Sequence, residues 1–175
     1  ILISLKKVLI KTPIEVANNK DDNYIFLGDW CDISDSKANC LTYPIRSENI
    51  QEAYEKIQDT TEKLLMELTK LYNQNFGITE NKNYYKIILG RWLFHFISNV
   101  YEKLFLLKKA NELYPNMTTK VLENTYEESI NSYSYYVKSY TSDDFNLKFF
   151  SSIIRETKLF KKENFKLIQT RQIFK

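Results

Sequence analysis

The chain has 175 residues, with 25 Lys and Arg against 22 Asp and Glu, for a net charge of +3. That length suits one domain with a real core, and the charge balance is too mild for a nucleic-acid binder, which carries a pronounced basic patch. Three Gly and three Pro against thirteen Tyr and eleven Phe favour long helices over turn-rich β architecture.

Residues 1–10 (ILISLKKVLI) are too short and too charged to span a bilayer, and they lack a signal peptide's cleavage site. Residues 7–11 (KVLIK) read as a short strand. Residues 12–22 hold Pro13 and form a short helix or only a loop. Residues 24–28 (YIFLG) read as a stronger strand, apolar on both faces as in a covered parallel sheet. Residues 29–46 look irregular. They contain Cys31 and Cys40, which with the single histidine, His95, make no metal-ligand pattern. A disulfide between them is one reading, but reduced thiols are the expectation for a chain of cytosolic character, and no metal is expected.

Ser47 is a candidate N-cap for an amphipathic helix running to about residue 73. Its apolar stripe includes Ile57, Leu65, Leu68 and Tyr72. Gly77 fits the break that follows. Asn81 is placed to cap a second helix, ending near Leu113 before Tyr114-Pro115-Asn116. Residues 83–102 of that helix are apolar on almost every side, so it is expected to be central and mostly buried. Arg91, His95, Asn99 and Glu102 make one polar stripe along it. A strand is expected near residues 120–122, then a Tyr-rich helix over 126–140. Another helix follows over 144–158, capped by Ser142 or Asp143. The tail, 159–175, alternates basic and apolar residues and suits helix or strand.

The fold expected is helix-rich α/β, a small parallel sheet covered by long helices. Residues 1–158 form one lobe, and 159–175 begin a linker or a following lobe. Starting at Ile1 rather than Met, the chain reads as a piece of a longer protein. No uncharged apolar run is long enough to cross a membrane, so a cytoplasmic protein is expected.

No phosphate loop, dinucleotide glycine fingerprint, nucleophile elbow or zinc motif is present. With only Gly28, Gly77 and Gly90, no glycine-rich loop can cradle a pyrophosphate, so no cofactor is expected on this segment. Gly28-Asp29-Trp30-Cys31 follows a strand, where ligands of open α/β sheets bind. Asp29 and Trp30 there suit a sugar, the acid through hydroxyls and the indole through an apolar face. The plainer reading is a turn with a packed Trp and a solvated Asp. Arg91 and His95 suit an anionic group, or a proton shuttle at His95. The plainer reading is a satisfied buried pair. Asp143 and Asp144 read first as helix-capping carboxylates. The Tyr133–Tyr140 region has too few interleaved basic residues for a base-stacking surface.

Three segments resemble, in order, the N-terminal part of a bacterial transferase family encoded in O-antigen and other surface-polysaccharide clusters, first catalogued in leptospires. Phe26-Leu27-Gly28-Asp29-Trp30-Cys31 resembles the family's F-L-G-E-W-C. The run from Tyr84 through Ile88-Leu89-Gly90-Arg91-Trp92-Leu93 to Tyr101 and Glu102 resembles its R-Y-W-R-I-L-L-G-P-W-L and Y-D-R segments. Asp143-Asp144-Phe145-Asn146 is similar to D-D-W-N. The chain departs at W-D-D-R, where only Arg46 is kept, and at Arg91, which stands where the family has Pro.

The resemblance implies a glycosyltransferase-like protein with two α/β lobes, moving a sugar from a nucleotide-activated donor to a surface glycan. The segment would be the acceptor-side lobe, with the nucleotide on the other. Asp29 and His95 are then the candidate catalytic residues. Trp30, Arg46, Arg91 and Asp144 are the candidate substrate contacts. The partners implied are the glycan acceptor and the nucleotide-sugar donor, at the inner face of the membrane. The rival expectation is a non-catalytic helical scaffold that self-associates or docks against another lobe.

Overall fold

A computed structural model describes residues 7–17, 24–31, 40–41, 47–123, 136–137 and 140–165. These residues divide between two compact units, an α/β unit within Ile1–Thr42 and Phe105–Lys175, and a helical unit within Tyr43–Leu104.

The α/β unit is built on strands β1 (Val8–Ile10), β2 (Tyr24–Phe26), β3 (Thr118–Leu122) and β4 (Lys161–Phe165). They lie in the order β2-β1-β3-β4, and every pairing is parallel. Leu9 and Ile10 are wholly buried and Val8 nearly so, as the central strand of a parallel sheet requires. Helix α1 (Pro13–Ala17) follows β1, and its proline occupies the first helical position, where a missing N–H costs nothing. A 3-10 turn (Asp29–Cys31) follows β2. The expected strand at 120–122 begins two residues earlier, at Thr118, because β1 and β4 both supply it with ladder partners.

Helix α4 (Asp143–Thr157) packs on β3. Ser142 is its N-cap, accepting from the Phe145 N–H, and Asp143 and Asp144 sit in its first turn. On its buried face the Ser151 hydroxyl accepts from the Leu122 N–H at 3.2 Å. Arg155 donates to the carbonyls of Leu122 and Glu123. Leu147 and Ile154 fill the core. Of the expected Tyr-rich helix, Tyr136, Val137 and Tyr140 are helical, and the remainder lies outside the described residues.

The helical unit holds α2 (Ser47–Phe76) and the first part of α3 (Lys82–Leu113). Gly77 makes the break with φ of 64°, a left-handed value that favours glycine. The Asn81 side chain caps α3 by accepting from the Tyr84 N–H at 3.1 Å. Leu65 of α2 packs with Tyr85, Leu93 and Ile97 of α3, flanked by Ile57, Leu68, Tyr72 and Trp92.

The expectation of a mostly buried α3 is corrected here. Ile87 and Ile88 are 85% and 56% exposed, while Trp92 and Phe96 are half-buried. A helix packed on one partner helix buries one stripe and leaves the rest open. The polar stripe also divides. Arg91, His95 and Glu102 are exposed, whereas Asn99 is buried, as is Lys103 beside it. Each four-residue step drifts by roughly 40° around a helix of 3.6 residues per turn. Asn99 has drifted toward the packed side, and Lys103 further still.

One ion cluster ties α2 to α3 within this unit. Glu62 accepts from Lys82 at 2.8 Å and from Lys86 at 2.5 Å. Those two bonds pull its carboxyl down to about 2 from an ordinary 4.5. The stabilisation is complete above the ordinary value and is lost as pH falls from 4.5 toward 2. Because the groups are partly exposed, it amounts to under about 1 kcal/mol. Glu62→Gln is expected to flatten that part of an acid unfolding titration followed by circular dichroism. An unchanged titration would show that the cluster is fully screened.

Candidate functional site

In the strand order β2-β1-β3-β4, the chain leaves β1 toward β2 on one side, and β3 joins on the other. The gap between β1 and β3 is therefore a topological switch point, and ligands of open parallel sheets bind beyond the carboxyl ends of the strands there.

A buried ion pair lies at this point. Lys11, the residue after β1, is wholly buried, and Glu15 of α1 is 2% exposed. The Lys11 ammonium donates to Glu15 Oε1 at 2.5 Å, to Thr119 Oγ1 at 2.7 Å and to the Lys120 carbonyl at 2.9 Å. All three of its donors are thus engaged within the protein. Glu15 Oε2 accepts the backbone N–H of Lys11 at 2.7 Å and of Thr12 at 3.0 Å. Thr119 in turn donates to the Leu9 carbonyl at 3.2 Å. One side chain thus joins β1, β3 and α1 where the chain changes direction.

Beside Lys11 stands the 3-10 turn after β2. Its backbone closes through the Cys31 N–H to the Gly28 carbonyl at 3.1 Å. Trp30 is 48% exposed, yet its Nε1–H donates to the Lys11 carbonyl at 3.3 Å. Its six-membered ring lies on Gly28. A Cβ at that position would stand 2.1 Å from Cζ3 and 2.3 Å from Cη2. This is why glycine precedes the turn: the indole occupies the space of a side chain. Behind it Cys31 is wholly buried, and burial pushes its thiol up to about 12, so it stays neutral near pH 7. Cys31 and Cys40 are both free thiols.

The residues singled out in the sequence fall as follows. Asp29 opens the 3-10 turn beside Trp30, and its side chain lies outside the described atoms. Asp144 belongs to the same unit, in the first turn of α4, where it pairs with Lys148 at 2.9 Å. Arg91 and His95 belong to the helical unit, both exposed on α3. His95 meets the Phe94 ring edge-on at 6.0 Å. Arg46 lies outside the described residues. Among the described residues no three His, Cys, Asp or Glu side chains gather to hold a metal.

Sequence reading missed Lys11, Glu15 and Thr119 as site residues. The one available signal was a Lys and a Glu four apart across a helix start, a spacing that is usually solvent-exposed. In the helical unit, burial pushes the Lys103 ammonium down to about 8 against the pull of neighbouring Glu102.

A family model described as LIC12162 family transferase matches residues 7–175, all but the first six. No curated protein and no solved structure matches the chain.

Proposed function

The chain belongs to the LIC12162 transferase family, and from that premise we propose that it serves sugar transfer in bacterial surface-polysaccharide assembly. The observation that supports the reading is the parallel-sheet switch point, where the buried Lys11–Glu15 pair stands beside the Asp29–Cys31 turn. The donor is a nucleotide-activated sugar and the acceptor a glycan. The acceptor hydroxyl oxygen attacks the anomeric carbon. The bond from that carbon to the donor phosphate breaks, and the phosphate leaves with the electron pair. A base takes the hydroxyl proton, which a positioned carboxylate can do.

Asp29 is our choice for that base, and His95 is the second candidate. Trp30, Arg46, Arg91 and Asp144 are proposed substrate contacts. The chain supplies the acceptor side of a two-lobed, GT-B-like enzyme acting at the inner face of the membrane. With three glycines, it offers the donor pyrophosphate no glycine-rich cradle, and that group is held elsewhere. Among the described residues no helix is long and apolar enough to cross a membrane.

The test is transfer by the full-length protein from UDP-, GDP- and CMP-sugars to a bacterial surface glycan, read by product mass. Transfer from at least one donor is expected, and none from any of them would sink the reading. One observation favours a second reading as an interaction module. Phe76 and Ile87 are 67% and 85% exposed near the turn of the helical hairpin, which suits docking to another copy. A protein that transfers nothing but dimerises through these residues would support it.

A further inference from the structure

We propose that Trp30 is a carbohydrate-stacking platform whose ligand is the apolar C–H face of a pyranose ring. The proposal rests on the sugar-transfer reading above and assigns the substrate contact within that site. Two independent contacts set the ring's orientation. The Nε1–H is held by the Lys11 carbonyl at 3.3 Å, and the six-membered ring is seated on Gly28.

Lys11 cannot easily move, since its ammonium is held by Glu15, Thr119 and the Lys120 carbonyl. The indole is therefore anchored to the sheet rather than to a free loop, and Trp30 as a residue is 48% exposed. A tryptophan kept only for packing would gain stability by burying that surface, at roughly 25 cal/mol per Å². A ring that is fixed but open is preorganised for a flat apolar partner and loses little entropy on binding it.

The nearby charge favours a neutral sugar over a nucleobase with its phosphates. Lys11, a cation at this edge among the described residues, has all its donors engaged inside the protein, so its ammonium is not open to a phosphate. Asp29 precedes Trp30 directly, and a carboxylate suits hydroxyls and repels phosphate.

The experiment follows the indole N–H signals in the NMR spectrum of the full-length protein, with Trp30 assigned through Trp30→Phe. Methyl β-D-galactopyranoside, methyl β-D-glucopyranoside, methyl α-D-mannopyranoside and UMP are titrated separately. At least one glycoside is expected to move the Trp30 signal saturably and leave that of Trp92 in place. Gly28→Ala keeps the tryptophan but displaces its ring, and it should weaken that binding about tenfold or more, equal to about 1.4 kcal/mol. Trp30→Ala should abolish the binding while retaining the parent circular dichroism.

Failure of every glycoside to move the signal would overturn the proposal. So would a response to UMP alone, or glycoside affinity unchanged by Trp30→Ala. Binding is read here without turnover. The platform can therefore fail while transfer is intact, and transfer can fail while the platform binds.

Discussion

Glu15→Gln destabilises the α/β unit by about 3–5 kcal/mol, the range for breaking a buried ion pair by removing one partner. The amide still offers an oxygen to the backbone N–H groups of Lys11 and Thr12, so those bonds at 2.7 and 3.0 Å can persist. What is lost is the counter-charge of an ammonium that is wholly buried. Thr119 and the Lys120 carbonyl remain as its acceptors, but neither carries charge. Total stabilities are about 5–15 kcal/mol, so this single atom change removes a large fraction. Adding Lys11→Met to Glu15→Gln should recover most of the loss, because the desolvated charge is gone as well. Urea unfolding of the two single variants and the double variant measures the coupling. A loss under about 1 kcal/mol for Glu15→Gln would mean that water reaches the pair in solution.

On the base role proposed for Asp29, Asp29→Asn is expected to lower kcat/KM for sugar transfer by about 10²- to 10⁴-fold, the span for removing a general base. The change keeps the shape of the side chain. The turn it opens is closed by backbone atoms, the Cys31 N–H and the Gly28 carbonyl, so folding should be little affected. Asp29→Glu is the informative control. The resembling family motif carries Glu at this position, and a carboxylate on a longer stem should keep much of the activity. His95→Ala, on the exposed face of α3, is expected to cost less. Full transfer by Asp29→Asn, with the parent unfolding midpoint, would remove Asp29 from the chemistry.

Local signals along the chain found most of the elements. The apolar runs around Leu9 and Ile25 became strands, Asn81 marked a helix start that the structure contains, and residues 12–22, read as a short helix or only a loop, hold the helix Pro13–Ala17. Ser142 caps α4 and Gly77 ends α2. These features depend on neighbours within a few residues, whose hydrogen bonds and φ values the sequence specifies directly. The helix-rich α/β class, with a small parallel sheet and long helices, was legible for the same reason.

The order β2-β1-β3-β4 was not legible. Lys11 and Thr119 stand 108 residues apart, and nothing local to either marks the pairing. Lys11 read as the polar end of a strand, because a lysine is seldom buried unless a distant partner neutralises it. Gly28 read as the end of a strand and the start of a turn, and the indole resting on it depends on the tertiary structure. On α3, composition suggested burial all round, yet the helix packs one face and leaves Ile87 and Ile88 open. The sequence by itself determined the long helices, two of the strands and several helix ends, since caps, turns and periodicity act over one or two turns of chain, whereas the start of β3 and the strand at Lys161–Phe165 depended on ladder partners far along the chain. Only the tertiary structure decided which charges meet, which ring is pinned and which apolar face is covered, because those outcomes depend on contacts between segments that chain order does not bring together.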